Sequence, residues 1–121
     1  MVIGIVGCRA RDTMADCNLV ETALLTILNS GSFDSFSIVS GGCPKGGDRF
    51  AEILAAKHNL DIKLYPAEWN KYGRSAGYKR NIFIARDADV LIASVANNRL
   101  GGTEDTISKY LALGKKRLII V

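Results

Sequence analysis

Five short runs rich in β-branched residues, separated by four stretches of helical periodicity, constrain the fold of this chain more than any other feature. The runs are Val2–Val6, Phe36–Val39, Ile62–Tyr65, Val90–Ala93 and Leu118–Val121. Each is of strand length, and the first, fourth and fifth are almost wholly apolar instead of alternating with polar residues. Strands without alternation are those whose two faces are both covered, as in a parallel sheet flanked by helices. The intervening stretches carry apolar residues at helical spacing: Val20, Ala23, Leu24, Ile27 and Leu28; then Phe50, Ile53, Leu54 and Lys57; then Tyr78, Ile82, Ala85 and Arg86; then Ile107, Tyr110, Leu111 and Leu113, before a C-capping Gly114. Strict strand–helix alternation predicts right-handed βαβ crossovers. The expected fold is a three-layer α/β, Rossmann-like domain with a five-stranded parallel sheet in the order 3-2-1-4-5.

A chain of 121 residues fits one such domain, 1–121, and buries roughly two-thirds of its unfolded surface. Three cysteines (Cys8, Cys17, Cys43) cannot all pair, and no CxxC spacing suggests zinc or a redox dithiol. No apolar stretch approaches membrane-spanning length, and Met1 leads into the first strand without a basic flank or a cleavage site. A reduced, cytoplasmic, non-membrane protein is expected. The net charge of +4 is scattered along the chain, so nucleic acid is permitted as a partner without being indicated. No cofactor or metal cluster is suggested. Apolar residues on the outer faces of the first and last helices suggest a homo-oligomer.

Glycines gather where strands give way to helices, the sheet edge at which open α/β folds bind ligands. After the second strand comes Ser40-Gly41-Gly42-Cys43-Pro44-Lys45-Gly46-Gly47-Asp48, a loop suited to close anion approach, with Asp48 as the expected helix N-cap. It lacks the Lys-Ser/Thr pair of a Walker A loop, and an ordinary glycine-rich turn is the competing reading. After the fourth strand, Gly101-Gly102-Thr103 opens a helix with Thr103 as the expected N-cap; taken alone, this is a capped helix with Glu104 and Asp105 complementing its dipole. Gly7-Cys8-Arg9 follows the first strand, with Asp12 a candidate cap and Arg9 within reach of a phosphate or ribose. The run from Tyr65 to Asn81 holds the only tryptophan and several basic residues. Trp69 either stacks on a base or seals the fold, packing being favoured. Arg80 can grip phosphate with its fork or form a surface ion pair. Cys8 and Cys43 are expected to be buried as small apolar residues, and His58 to be structural.

These motifs resemble the SLOG superfamily of Rossmann-like proteins, and most of all its small YspA- or YpsA-related group. The carrying residues are Gly7-Cys8-Arg9, the Ser-Gly-Gly-x-x-x-Gly-x-Asp loop from Ser40 to Asp48, the Pro-Ala-x-Trp-x-x-Tyr-Gly-x-x-Ala-Gly-x-x-Arg-Asn run from Pro66 to Asn81, and Gly101-Gly102-Thr103. More distantly, Arg80-Asn81, Ala88-Asp89 and Gly101 to Thr103 are similar to the Lonely Guy enzymes, which cleave the N-glycosidic bond of nucleoside monophosphates. Their catalytic glutamate falls on Thr106 here.

The resemblance implies a nucleotide-type phosphorylated ligand at the carboxyl edge of the sheet. Its phosphate would lie on Gly101, Gly102 and Thr103 with Arg80 and Asn81. Gly7, Arg9, Trp69 and the residues Ser40, Gly41, Gly42, Lys45, Gly46 and Asp48 would surround the ribose and base. If the bond is cleaved, Arg80 steadies the phosphate while Glu104 or Asp105 assists water. A sensor that holds the nucleotide intact is the second reading, and a DprA-like nucleic-acid binder the third.

Overall fold

The computed structural model describes residues 1–31 and 35–121. Five parallel strands, β1 (Val2–Gly7), β2 (Ser37–Ser40), β3 (Asp61–Leu64), β4 (Val90–Ser94) and β5 (Leu118–Ile120), form one sheet in the order β3-β2-β1-β4-β5. The helices are α1 (Met14–Leu28), α2 (Gly47–Lys57), the short α3 (Trp69–Tyr72), α4 (Ala76–Asp87) and α5 (Gly102–Ala112), with a 3-10 turn over Gly73–Ser75. None is long and apolar enough to cross a membrane.

Two apolar layers explain why the central strands carry no polar alternation. Ile3, Ile5, Ile38 and Ile92 face Val20, Leu24, Phe50 and Leu54 of α1 and α2. Val6, Val39, Leu91 and Ala93 face Ile84, Ala85, Ile107 and Tyr110 of α4 and α5. Neighbouring residues of β4 thus enter opposite cores, and each fully buried large side chain contributes about 1.5–3 kcal/mol. The uncovered strands are the edges: β3 is largely exposed, and Ile120 of β5 is exposed despite its apolar character. Leu19 and Leu25 of α1 and Leu111 of α5 are also exposed.

The helix caps fall elsewhere than the sequence suggested. Thr13, not Asp12, caps α1, in a reciprocal box with Asp16. Gly46 and Gly101 are the N-caps of α2 and α5, so Asp48 and Thr103 lie inside their first turns. The buried residues of α4 are Ala76, Asn81, Ile84 and Ala85, whereas Tyr78, expected on the core stripe, is exposed. A buried asparagine held by hydrogen bonds turns that face away from the one apolar periodicity selects.

Lys115 fixes the far end of α4. Its Nζ donates to the carbonyls of Ala85, Arg86 and Ala88 at 3.0, 2.7 and 2.7 Å, using all three ammonium hydrogens on groups at or just beyond the helix terminus. Lys115→Met keeps the stem and removes the donors, and is expected to lower the unfolding free energy by about 2 kcal/mol. Urea denaturation checks this; an unchanged midpoint would show that water serves those carbonyls equally well.

Candidate functional site

The sheet order reverses between β1 and β4, and the crevice beyond their carboxyl ends is where this topology leaves room for a ligand. A cavity of about 350 Å3 lies there. Of the residues the sequence nominated, Gly7, Arg9, Asp48, Trp69, Arg80, Asn81, Gly101, Gly102 and Thr103 line it together. Ser40, Gly41, Gly42, Lys45, Gly46 and Glu104 do not; Lys45 instead borders a neighbouring depression shared with Arg9 and Cys43.

The two glycine loops differ in what their amides do. In the loop after β2, Gly46 donates its N–H to Asp12 Oδ1 at 2.7 Å, and Cys43 donates to Asp48 Oδ2 at 3.0 Å. Arg49 Nε holds the same Asp12 oxygen at 2.8 Å, and the Gly46 N–H together with this guanidinium lowers the Asp12 carboxyl below its usual range. The start of α2 is thus served by an internal carboxylate. Gly47 is required for contact, because a Cβ there would collide with the backbone of Val6 and Gly7.

The start of α5 is open by comparison. No side chain caps it, Gly101 takes φ +110°, and a Cβ on Gly101 or Gly102 would meet nothing within 4 Å. Thr103 is 8% exposed and lines the cavity, yet its hydroxyl has no hydrogen-bond partner among the described residues. Unpaired amides at a positive helix end beside a free hydroxyl are groups that can take an anion.

Arg80 and Asn81 join the two loops. Arg80 Nη1 donates to Gly41 O at 2.6 Å and to Tyr65 O at 2.9 Å, while its Nε donates to Asn81 Oδ1 at 2.9 Å. Nη2 has no acceptor among the described residues. The surface ion pair that would have made Arg80 unremarkable is absent from these contacts. Asn81, 5% exposed, donates from Nδ2 to Gly102 O at 3.2 Å and to Asp105 Oδ2 at 3.0 Å. One buried amide therefore ties the arginine on α4 to the first turn of α5.

Glu104 and Asp105 are engaged elsewhere. Arg99 grips Glu104 with Nε and Nη2, both at 2.9 Å, and Asp105 pairs with Asn81 and Lys109. Among the described residues, Asp48 is the one carboxyl lining the cavity. Burial pushes its pKa upward, outweighing the Cys43 N–H and the Arg80 charge. Gly41 leaves space for this arrangement: a Cβ there would strike the Arg80 guanidinium and lie 2.7 Å from Asp48 Oδ2.

Sequence reasoning missed Arg74 and Tyr78, which also line the cavity. Both fall in the Tyr65 to Asn81 run, whose concentration of aromatic and basic residues was the available signal. Neither Arg9 nor Arg74 has a side-chain ion pair or hydrogen bond among the described residues. Trp69 is 51% exposed on the cavity wall and does not seal the core. Cys8 and Cys43, expected to be buried, are half-buried free thiols at the same cavity. Thr106, at the position of the Lonely Guy glutamate, donates its hydroxyl to Gly102 O at 3.3 Å. His58 meets Glu21 Oε2 at 2.8 Å on the opposite side of the fold.

No curated protein and no solved structure matches the chain significantly. Residues 5–72, more than half of the chain, match the YspA, cpYpsA-related SLOG family, and they include the end of β1, β2, the glycine loop with Asp48, and the tryptophan segment as far as Tyr72. The protein therefore belongs to the YspA, cpYpsA-related SLOG family.

Proposed function

We propose that this domain binds a nucleotide or nucleotide-derived phosphorylated ligand in the cavity beyond β1 and β4. The observation that carries the reading is the uncapped start of α5, where the unpartnered Thr103 hydroxyl shares a cavity with Arg9, Arg74 and Arg80. The ligand's phosphate sits on the amides of Gly102 and Thr103, with Arg80 Nη2 as a further donor. The base lies against Trp69 or Tyr78, whose exposed rings offer a stacking surface on the cavity wall.

Binding without cleavage is the form of this reading that the side chains favour. Thr106 stands where the Lonely Guy enzymes have their glutamate, and Glu104 and Asp105 are held by Arg99, Asn81 and Lys109 outside the cavity lining. Cleavage of an N-glycosidic bond would have to draw on Asp48, the carboxyl at the cavity.

Native mass spectrometry of the full chain with AMP, ADP, ADP-ribose, NAD and cyclic nucleotides is expected to show an adduct with the mass of an intact nucleotide. Release of free base would convert the reading to a hydrolase. No adduct up to millimolar concentration would refute nucleotide binding and turn attention to a nucleic-acid partner, recognised by steep salt dependence.

A further inference from the structure

Asp48 is a buried titratable group at the cavity that the phosphate site does not itself use, and its surroundings determine its charge by a count of hydrogens. Ser40 Oγ lies 2.6 Å from Ile5 O and 3.0 Å from Asp48 Oδ1, and all three groups are buried. A serine hydroxyl has one hydrogen, and a backbone carbonyl has none to give. The short contact to Ile5 O assigns the serine hydrogen there. The second contact then needs a hydrogen from Asp48, because a carboxylate would set two bare acceptors against each other.

The behaviour of Arg80 agrees. A guanidinium beside an ionised carboxylate normally takes it as a forked partner. Arg80 instead spends Nε and Nη1 on three neutral acceptors, Asn81 Oδ1, Gly41 O and Tyr65 O. The groups facing Asp48 are this guanidinium from α4, the Ser40 hydroxyl at the end of β2, and the N–H groups of Gly41 and Cys43 in the loop between β2 and α2. Cys8 and Arg9, after β1, share the cavity wall.

We propose that Asp48 stands in the cavity as a neutral carboxylic acid, and that its proton leaves the charge of Arg80 uncompensated for an anionic ligand. The second half rests on the nucleotide reading above; the first does not. Burial, which disfavours the charged form, is the physical cause that keeps the proton in place. The folded state therefore holds this proton more tightly than the unfolded chain. Its contribution to stability is fully present below the unfolded carboxyl value and is lost as pH rises through the folded one.

The test is a carbon-detected NMR titration of the Asp48 carboxyl in the full chain, with Asp48→Asn identifying the signal. The expected result is the chemical shift of a carboxylic acid at neutral pH, moving to that of a carboxylate only at higher pH. A carboxylate at neutral pH, titrating near the ordinary value of about 4, would overturn the proposal.

The ligand arm uses AMP. Wild-type affinity is expected to fall about tenfold or more as pH rises through the Asp48 titration. In Asp48→Asn, whose side chain is fixed neutral, that alkaline fall disappears. The same fall in both proteins would overturn the second half. If AMP binds neither at any pH, the nucleotide reading fails together with the second half, while the carboxyl titration still decides the charge of Asp48.

Discussion

Gly47→Ala is expected to cost the domain about 4 kcal/mol or more, an exceptional loss for one methyl group. The added Cβ would collide with Gly7 N and the Val6 carbonyl carbon. These are backbone atoms of a central strand, paired on both sides to β2 and β4, and they have no rotamer to change. The helix cannot retreat either, since Gly46 is held by Asp12, and Phe50 and Leu54 on the next turns are fully buried. Domains of this kind have about 5–15 kcal/mol in all, so much of the reserve would go.

Gly77→Ala gives the contrast. Its Cβ would lie 3.5 Å from Trp69, an ordinary contact, and alanine in a helix gains about 0.5–1 kcal/mol over glycine. Urea denaturation of the two variants checks both signs. Equal midpoints would mean that α2 and β1 are less rigidly apposed than the contact implies.

Arg80→Ala is expected to weaken AMP binding by about 100-fold, the size for truncating one partner of a charge-assisted hydrogen-bonded pair. It should also reduce stability by about 1–3 kcal/mol, because Gly41 O, Tyr65 O and Asn81 Oδ1 lose their donors. Thr103→Val separates the two effects. The hydroxyl has no partner among the described residues, so a shape-matched apolar replacement should leave stability unchanged or slightly raised while AMP affinity drops about tenfold. Isothermal titration alongside thermal melts reads both quantities. Unchanged affinity in both variants would remove the α5 start and Arg80 from the site.

The architecture was legible because its causes are periodic. β1 and β4 are apolar on both faces since cores lie on both sides, and the βαβ alternation set a parallel order with β1 in the centre. The errors arose where one specific contact outweighs a pattern. Asp48 was expected to cap α2, yet its carboxyl turns back to Cys43 and Ser40. Asp12 serves the start of α2, from 34 residues earlier in the chain. No local spacing announces such a long-range partner.

The grouping of the candidate residues was legible in outline, and less so which of them line the cavity. Arg80 and Gly101 to Thr103 come together with Arg9, Trp69 and Asp48 because the sheet edge gathers all the strand ends. The loop from Ser40 to Gly46 looked equally suited to an anion, but its Cys43 and Gly46 amides are taken by the side chains of Asp48 and Asp12, and Gly41 and Gly46 are closely packed. Glu104 sits in the first turn of α5, where it was expected to assist water, but its carboxylate is held by Arg99. Trp69 and Tyr78 carry large apolar area that composition alone assigns to a core, and here it forms the wall of an open cavity.

Backbone amide NMR with added AMP tests the central claim most directly, since every donor proposed for the phosphate has its own signal. The account predicts the largest shifts at Gly101, Gly102 and Thr103, together with the Arg80 side chain, and little change at Gly46, whose N–H already belongs to Asp12. Shifts confined to the loop from Gly41 to Gly47, or none at all, would contradict it.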